Sequence, residues 1–345
     1  MGVKLIKGGG RRAGVAQALM GRSVRVVKHS TVVDSYSPRI HLENHPDTGA
    51  CYIVVMPPHA NVMMEHREGW KLNQRPWLRF IDNRSLQATF QQYRDRRALF
   101  CCWLTWELPW LPNDRRASFA TLYAEALDDN IDMLMPQHRT WLSTFLKNKH
   151  IFDGVLGHTP WMAQKLHEIS GLPSGVLPAG YDERILGTPQ WDAPKKIDAA
   201  WYGTMVGKRE RLVAKLRNLM GTKLGDLTGL VSRELVDRLQ NAKTILYLGH
   251  SNIRSYSTWR TWHGMCSSAA IVTEPGDRWP LDDESCIEVP TIDESNIDEV
   301  ARIITDLSPE QALSIARRAH ERLRTFTVGN MIDNYLIPNT RAWLR

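Results

Sequence analysis

The sequence predicts an α/β protein built from two Rossmann-like domains that face each other across a cleft. Three observations predict it. At 345 residues the chain exceeds what one hydrophobic core comfortably organises. Short apolar runs alternate with amphipathic segments, the pattern of parallel strands covered on both faces by helices. A stretch over 172–196 carrying Pro173, Pro178, Gly180, Gly187, Pro189 and Pro194 then separates two such series.

In the first series, residues 24–27, 52–56 and 98–104 read as strands. Asp114 is placed to cap a helix carrying Phe119, Leu122, Tyr123, Ala126 and Leu127 on one face. A strand at 131–135, a helix around 140–146, a strand at 152–156 and a helix over 161–169 stopped by Gly171 complete the alternation. Residues 57–97, rich in Arg, Gln and Asn, read as a less regular excursion, and 175–177 as a short strand inside the linker. The second series has strands at 199–202, 244–248, 269–272 and 286–289, with helices around 232–240 and 258–266. Two helices follow, the second opened by capping Ser308, by Pro309 at its first position and by Gln311. Residues 328–345 read as a further helix.

The most informative stretch runs from Ala200 to Leu216. An apolar run ends in a loop bearing Gly203 and Gly207, and Lys208 and Arg209 open a helix with Leu212, Val213, Leu216, Leu219 and Met220 at helical spacing before Gly221. Backbone N–H groups at a helix start carry the positive end of the dipole, and two cations there make an anion site whose natural ligand is a phosphate. The spacing excludes a nucleoside-triphosphatase loop, which needs four residues between its glycines and Ser or Thr after the Lys. Here three residues intervene, and Arg209 follows Lys208.

Composition bounds the rest. Hydrophobic residues at 43% and charged residues at 23% describe a globular chain. The absence of an apolar run of about 20 residues, and a start without a secretory apolar region, predict no membrane insertion and a cytoplasmic location. Five cysteines, with Cys101 and Cys102 adjacent and no CxxC, read as reduced core thiols, while Asp128-Asp129 and Asp282-Asp283-Glu284 read as solvated charges, so no metal is expected. A net charge of +7 points to anionic partners, nucleic acid among them.

Three segments resemble glycosyltransferases of the two-Rossmann-domain (GT-B) architecture, most closely the C-terminal half of the CgeB-like and family-4-like groups. They are 152–182, with Phe152-Asp153-Gly154-Val155-Leu156 and Leu177-Pro178-Ala179-Gly180-Tyr181-Asp182; the loop from Tyr202 to Arg211; and 243–274. The resemblance covers about half the chain and leaves residues 1–95 outside it. It implies an acceptor-side domain at 1–178, a nucleotide-sugar domain at 179–325, and a tail, 326–345, that returns to the first. It implies a UDP-sugar as co-substrate, with no tightly bound cofactor, and assigns the donor to Gly203, Thr204, Lys208, Arg209, Gly249, His250, Ser251, Arg254, His263 and Glu274. Two positions depart from the family's run: His263 stands where it has Glu, and Ser268 where it has Gly. A Glu accepts two ribose hydroxyls, whereas a neutral His accepts one hydrogen bond and donates one.

An inverting transfer also needs a base for the acceptor hydroxyl. Glu107, after an apolar strand and Trp106, and His59, after Pro57-Pro58, stand where first-domain loops face a cleft. For the acceptor, the sequence points to a hydroxylated base in DNA, of the kind enzymes of bacterial viruses modify. Arg94, Arg96, Arg97, Arg115 and Arg116 would neutralise phosphates, and Trp103, Trp106 or Trp110 would stack on the exposed base. The alternatives are a non-catalytic nucleic-acid-binding α/β protein, another nucleotide-sugar enzyme such as an epimerase, and a glycosyltransferase acting on a cell-surface polymer or a protein.

Overall fold

The computed structural model describes residues 40–56, 64–103, 112, 114, 116–123, 127–203, 205, 207–249 and 258–345. The strand expected at 24–27 lies outside them. The first part of the chain alternates β1 (Cys51–Met56), α1 (Met64–Leu72), β2 (Leu78–Asp82), α2 (Leu86–Tyr93), β3 (Ala98–Trp103), β4 (Ser118–Tyr123), α3 (Pro136–Asn148), β5 (Gly154–Gly157), α4 (Pro160–Ser170) and β6 (Ser174–Val176). These strands form one parallel sheet in the order β2-β1-β3-β4-β5-β6.

The second part supplies β7 (Ile197–Trp201), α5 (Lys208–Met220), β8 (Leu224–Asp226), α6 (Ser232–Leu239), β9 (Ala242–Tyr247), α7 (Thr258–Met265), β10 (Ala270–Thr273), β11 (Ile287–Glu288), α8 (Ile297–Asp306) and α9 (Pro309–Leu323). Its parallel sheet is ordered β11-β10-β9-β7-β8. Each sheet therefore reverses direction once, between β1 and β3 in the first and between β7 and β9 in the second. A ligand crevice opens at such a reversal, outside the carboxyl ends of the strands.

Several expectations need correction. The segment expected to be a helix capped by Asp114 is strand β4, all six of whose residues are buried. Sandwiched between β3 and β5, it is apolar on both faces, and a run apolar on every side satisfies a helical period by accident. Asp114 instead accepts hydrogen bonds from the backbone and side chain of Arg116. The strand expected at 131–135 is a single 3-10 turn, Ile131–Met133, capped by Asn130. Residues 57–97 contain α1, β2 and α2 rather than an irregular excursion. The linker strand is β6, the edge of the first sheet.

Ser308 makes both halves of a capping box with Gln311. The tail, helical over 328–340, packs on the first sheet: Val328, Met331, Ile332, Leu336, Ile337 and Trp343 share a core with Tyr52, Leu99, Leu122 and Leu156. Gly154 of β5 permits this, because a Cβ there would lie 2.5 Å from Trp343 Cε2. The chain thus crosses between the sheets twice, and the crossings touch: Tyr181 N–H donates to Phe326 O at 2.8 Å, and Val328 N–H to Tyr181 O at 2.9 Å.

Candidate functional site: cations at the reversal point of the second sheet

Strand β7 runs into Tyr202 and Gly203, and β9 into Leu248 and Gly249, so these strand ends flank the crevice at the reversal point. The amphipathic pattern of α5 buries Leu212, Val213 and Leu216, and with them Arg209, which is 3% exposed. Its Nε–H donates to Leu248 O at 2.9 Å, which ties the start of α5 to the end of β9. Its Nη1 is buried without a hydrogen-bond partner. Burial, and secondarily the charge of Arg260, push this guanidinium down to about 10. A buried cation without a carboxylate is costly, and the cost is relieved by an anion.

Arg260 is the second such cation. It reaches from α7 across the reversal point, its Cζ 5.8 Å from the ring centroid of Tyr202 and 5.6 Å from that of Tyr247. No carboxylate pairs with it among the described residues. Both aromatic rings leave strand ends flanking the crevice, so the guanidinium is held on their faces by attraction to the π systems. Gly203 makes room for it: its φ is +141°, and a Cβ there would lie 2.9 Å from Arg260 Cζ. Gly203→Ala is therefore expected to displace Arg260 and strain the loop by about 1 to 3 kcal/mol. A melting temperature below wild type, together with loss of affinity for UDP by calorimetry, checks this.

Lys208 and Glu274 take a different part. The Glu274 carboxylate, 5% exposed, accepts from Lys208 Nζ at 3.0 Å, from Ile292 N–H at 2.7 Å and from Gly249 N–H. Three donors fasten it, so it fixes the Gly249 loop and neutralises Lys208. His263 is buried beside Tyr202, its Nδ1 3.1 Å from Tyr202 Oη and its Nε2 2.8 Å from Glu65 Oε2, and Glu65 comes from α1, beside the other sheet. Burial by itself would raise the Glu65 carboxyl, but hydrogen bonds from His263 and Ser232 outweigh it and hold the group below its ordinary value. Ser268, the other departure noted in the sequence, is structural. Its hydroxyl accepts from Lys195 Nζ at 2.6 Å, and its N–H donates to Gln240 Oε1 at 3.0 Å.

Of the sequence-derived donor residues, Gly203, Lys208, Arg209, Gly249, His263 and Glu274 converge on this crevice, whereas Thr204, His250, Ser251 and Arg254 lie outside the described residues, as do His59 and Glu107. The strands that precede His59 and Glu107, β1 and β3, flank the reversal point of the first sheet. Arg260 and Tyr202, which lie in two of the stretches that resemble the family, were not assigned to the site from sequence, and Glu65 was not singled out at all. A cation between two strand-end tyrosines is a usable signal only once the strand order is known. Elsewhere at the carboxyl edge of the first sheet, His158 is fully buried with Nδ1 3.0 Å from Leu177 O, and burial pushes it down to about 4. Among the described residues, no group of three or more His, Cys, Asp or Glu side chains is gathered to hold a metal.

No protein-family model matches the sequence, and no curated protein matches it. Solved structures do. HepE of Anabaena, in complex with UDP and glucose, superposes with a TM-score of 0.59 at 10% identity over 84% of this chain and 99% of its own. AviGT4, a glycosyltransferase involved in avilamycin A biosynthesis, gives 0.54 at 12% over 85% and 98%. TarM gives 0.51 at 11% over 69% of this chain and 53% of its own, so the chain spans about half the length of that protein. Identity this low shows the fold alone, and the fold is that of the GT-B glycosyltransferases, two Rossmann-like domains facing across a cleft.

Proposed function

We propose that the protein is a glycosyltransferase that moves a sugar from a nucleotide-sugar, a UDP-sugar by preference, to a hydroxyl acceptor. The observation that carries this reading is the pair of guanidinium groups that no carboxylate among the described residues pairs with, Arg209 and Arg260, at the reversal point of the second sheet. Two adjacent like charges, one of them buried, are stabilised when a diphosphate joins them, and bidentate guanidinium contacts suit phosphate oxygens. As the glycosidic bond breaks, negative charge develops on the departing phosphate oxygen, where cations fixed in advance lower the barrier. HepE solved with UDP-glucose, and the pneumococcal O-GlcNAc transferase GtfA solved with UDP and GlcNAc, show this fold holding such ligands.

Within the reading, residues 179–325 bind the donor and 1–178 the acceptor. Glu107 or His59 takes the acceptor's proton, and the closer placement among CgeB-like and family-4-like enzymes rests on the sequence segments alone. The DNA acceptor gains no support. Arg94 and Arg116 are paired with Asp95 and Asp114. Arg96 is spent on Leu42 O and Asn44, and Trp103 is buried in the core. The proposal therefore stops at a hydroxyl acceptor. No helix among the described residues is long and apolar enough to cross a membrane.

The test is a thermal-shift series with UDP, GDP, ADP and their sugars. A ligand present at 100 times its dissociation constant stabilises the native state by about 2.7 kcal/mol. A clear rise with UDP or a UDP-sugar is expected; no rise with any nucleoside diphosphate would overturn the assignment.

A further inference from the structure

Among the described residues, a side chain of the first sheet's domain reaches toward the cation site. Glu65, in the first turn of α1, crosses to the second domain, where its carboxylate lies 2.8 Å from His263 Nε2 and near Ser232 at the start of α6. Both members of the Glu65–His263 pair have side chains only 10% exposed. From there the contacts continue. His263 Nδ1 meets Tyr202 Oη at 3.1 Å, Tyr202 O–H donates to Arg260 O at 3.3 Å, and the Tyr202 ring carries the Arg260 guanidinium. Burial keeps Tyr202 a neutral phenol. An unbroken run of close contacts thus links a helix of the first domain to the cation that faces the crevice of the second.

We propose that Glu65 is a positioning residue for the diphosphate site: by fixing His263 and, through it, the Tyr202 ring, it sets where Arg260 stands, so that docking of α1 and binding of the diphosphate form one equilibrium. The inference rests on the donor reading above and adds to it a residue that touches no substrate. Linkage makes the effect reciprocal, since a ligand that favours the seated Arg260 also favours the Glu65–His263 contact.

Calorimetric titration of UDP into the full chain tests this, using wild type, Glu65→Gln, Tyr202→Phe and the double variant, alongside the NMR signal of the His263 ring identified by its loss in His263→Gln. The expected result is a roughly tenfold weaker affinity in Glu65→Gln and a similar loss in Tyr202→Phe. The double variant should be no worse than either single one, as for residues acting in series. The His263 signal should move when UDP is added to wild type and stay still in Tyr202→Phe, which a purely structural role for Glu65 would not produce. If Glu65→Gln fails to fold, Tyr202→Phe, which loses only a hydroxyl, carries the comparison. Wild-type affinity in Tyr202→Phe and in any folded Glu65→Gln, or additive losses, would overturn the positioning role while leaving the donor reading intact. Failure of wild type to bind UDP would overturn both.

Discussion

Arg209→Met is expected to weaken UDP binding by about 1.5 to 3 kcal/mol, the range for a charge-assisted hydrogen bond to a phosphate, while leaving the unliganded protein as stable as wild type or more so. The two halves of this expectation have one cause. In the free protein the guanidinium is buried, forms no ion pair with a carboxylate among the described residues and is repelled by Arg260. Methionine fills a similar volume without the desolvation penalty. What is lost is the bond from Nε to Leu248 O, worth about 1 kcal/mol, against which the relieved charge is set. Calorimetric titration and a urea melt of the same preparation check both. Unchanged affinity would remove Arg209 from the donor site, and a large drop in unliganded stability would mean that the residue is structural.

Trp343→Ala is expected to destabilise the first domain by about 3 to 5 kcal/mol, the range for deleting a large aromatic from a core. The ring is 8% exposed and lies against Gly154, the first residue of β5, where a Cβ would collide with it. Its removal opens a void that the rigid sheet below cannot close. It also loosens the end of the chain, where Arg345 N–H donates to Ser118 Oγ at 2.8 Å and the Arg345 guanidinium pairs with Asp153 at 2.5 Å. The midpoint of urea unfolding, followed by tryptophan fluorescence, measures the loss. A midpoint within error of wild type would show that the tail contributes little to the first core.

Strands with turn signals at both ends were legible in the sequence. β1 stops before Pro57-Pro58, and β7 and β9 stop at Gly203 and Gly249. β2 and β8 were not. β2 carries Arg79 and Asp82 at the edge of its sheet, and β8 is only three residues long with a glycine at its centre. Neither has the continuous apolar character of a central strand. In the site, Arg209 was legible because a cation at a helix start signals an anion, although the same signal gave Lys208, whose charge Glu274 neutralises. Arg260 stood at the head of a family-like run, but its place at the anion site was illegible for want of strand order. Glu65 was illegible because it meets His263 across 198 residues of sequence, with no local pattern to announce the pairing.

The return of the tail bears on how the chain is made. The first sheet leaves the ribosome before the second, yet part of the cover for one face, Val328 to Trp343, is translated only after the whole second domain. Domains generally fold as units in the order of synthesis, but here the earlier one remains incomplete until the later one has emerged. Throughout that interval Tyr52, Leu99, Leu122 and Leu156 lack some of their final partners, so the nascent protein presents apolar surface to chaperones at a stage when a domain continuous in sequence has already closed.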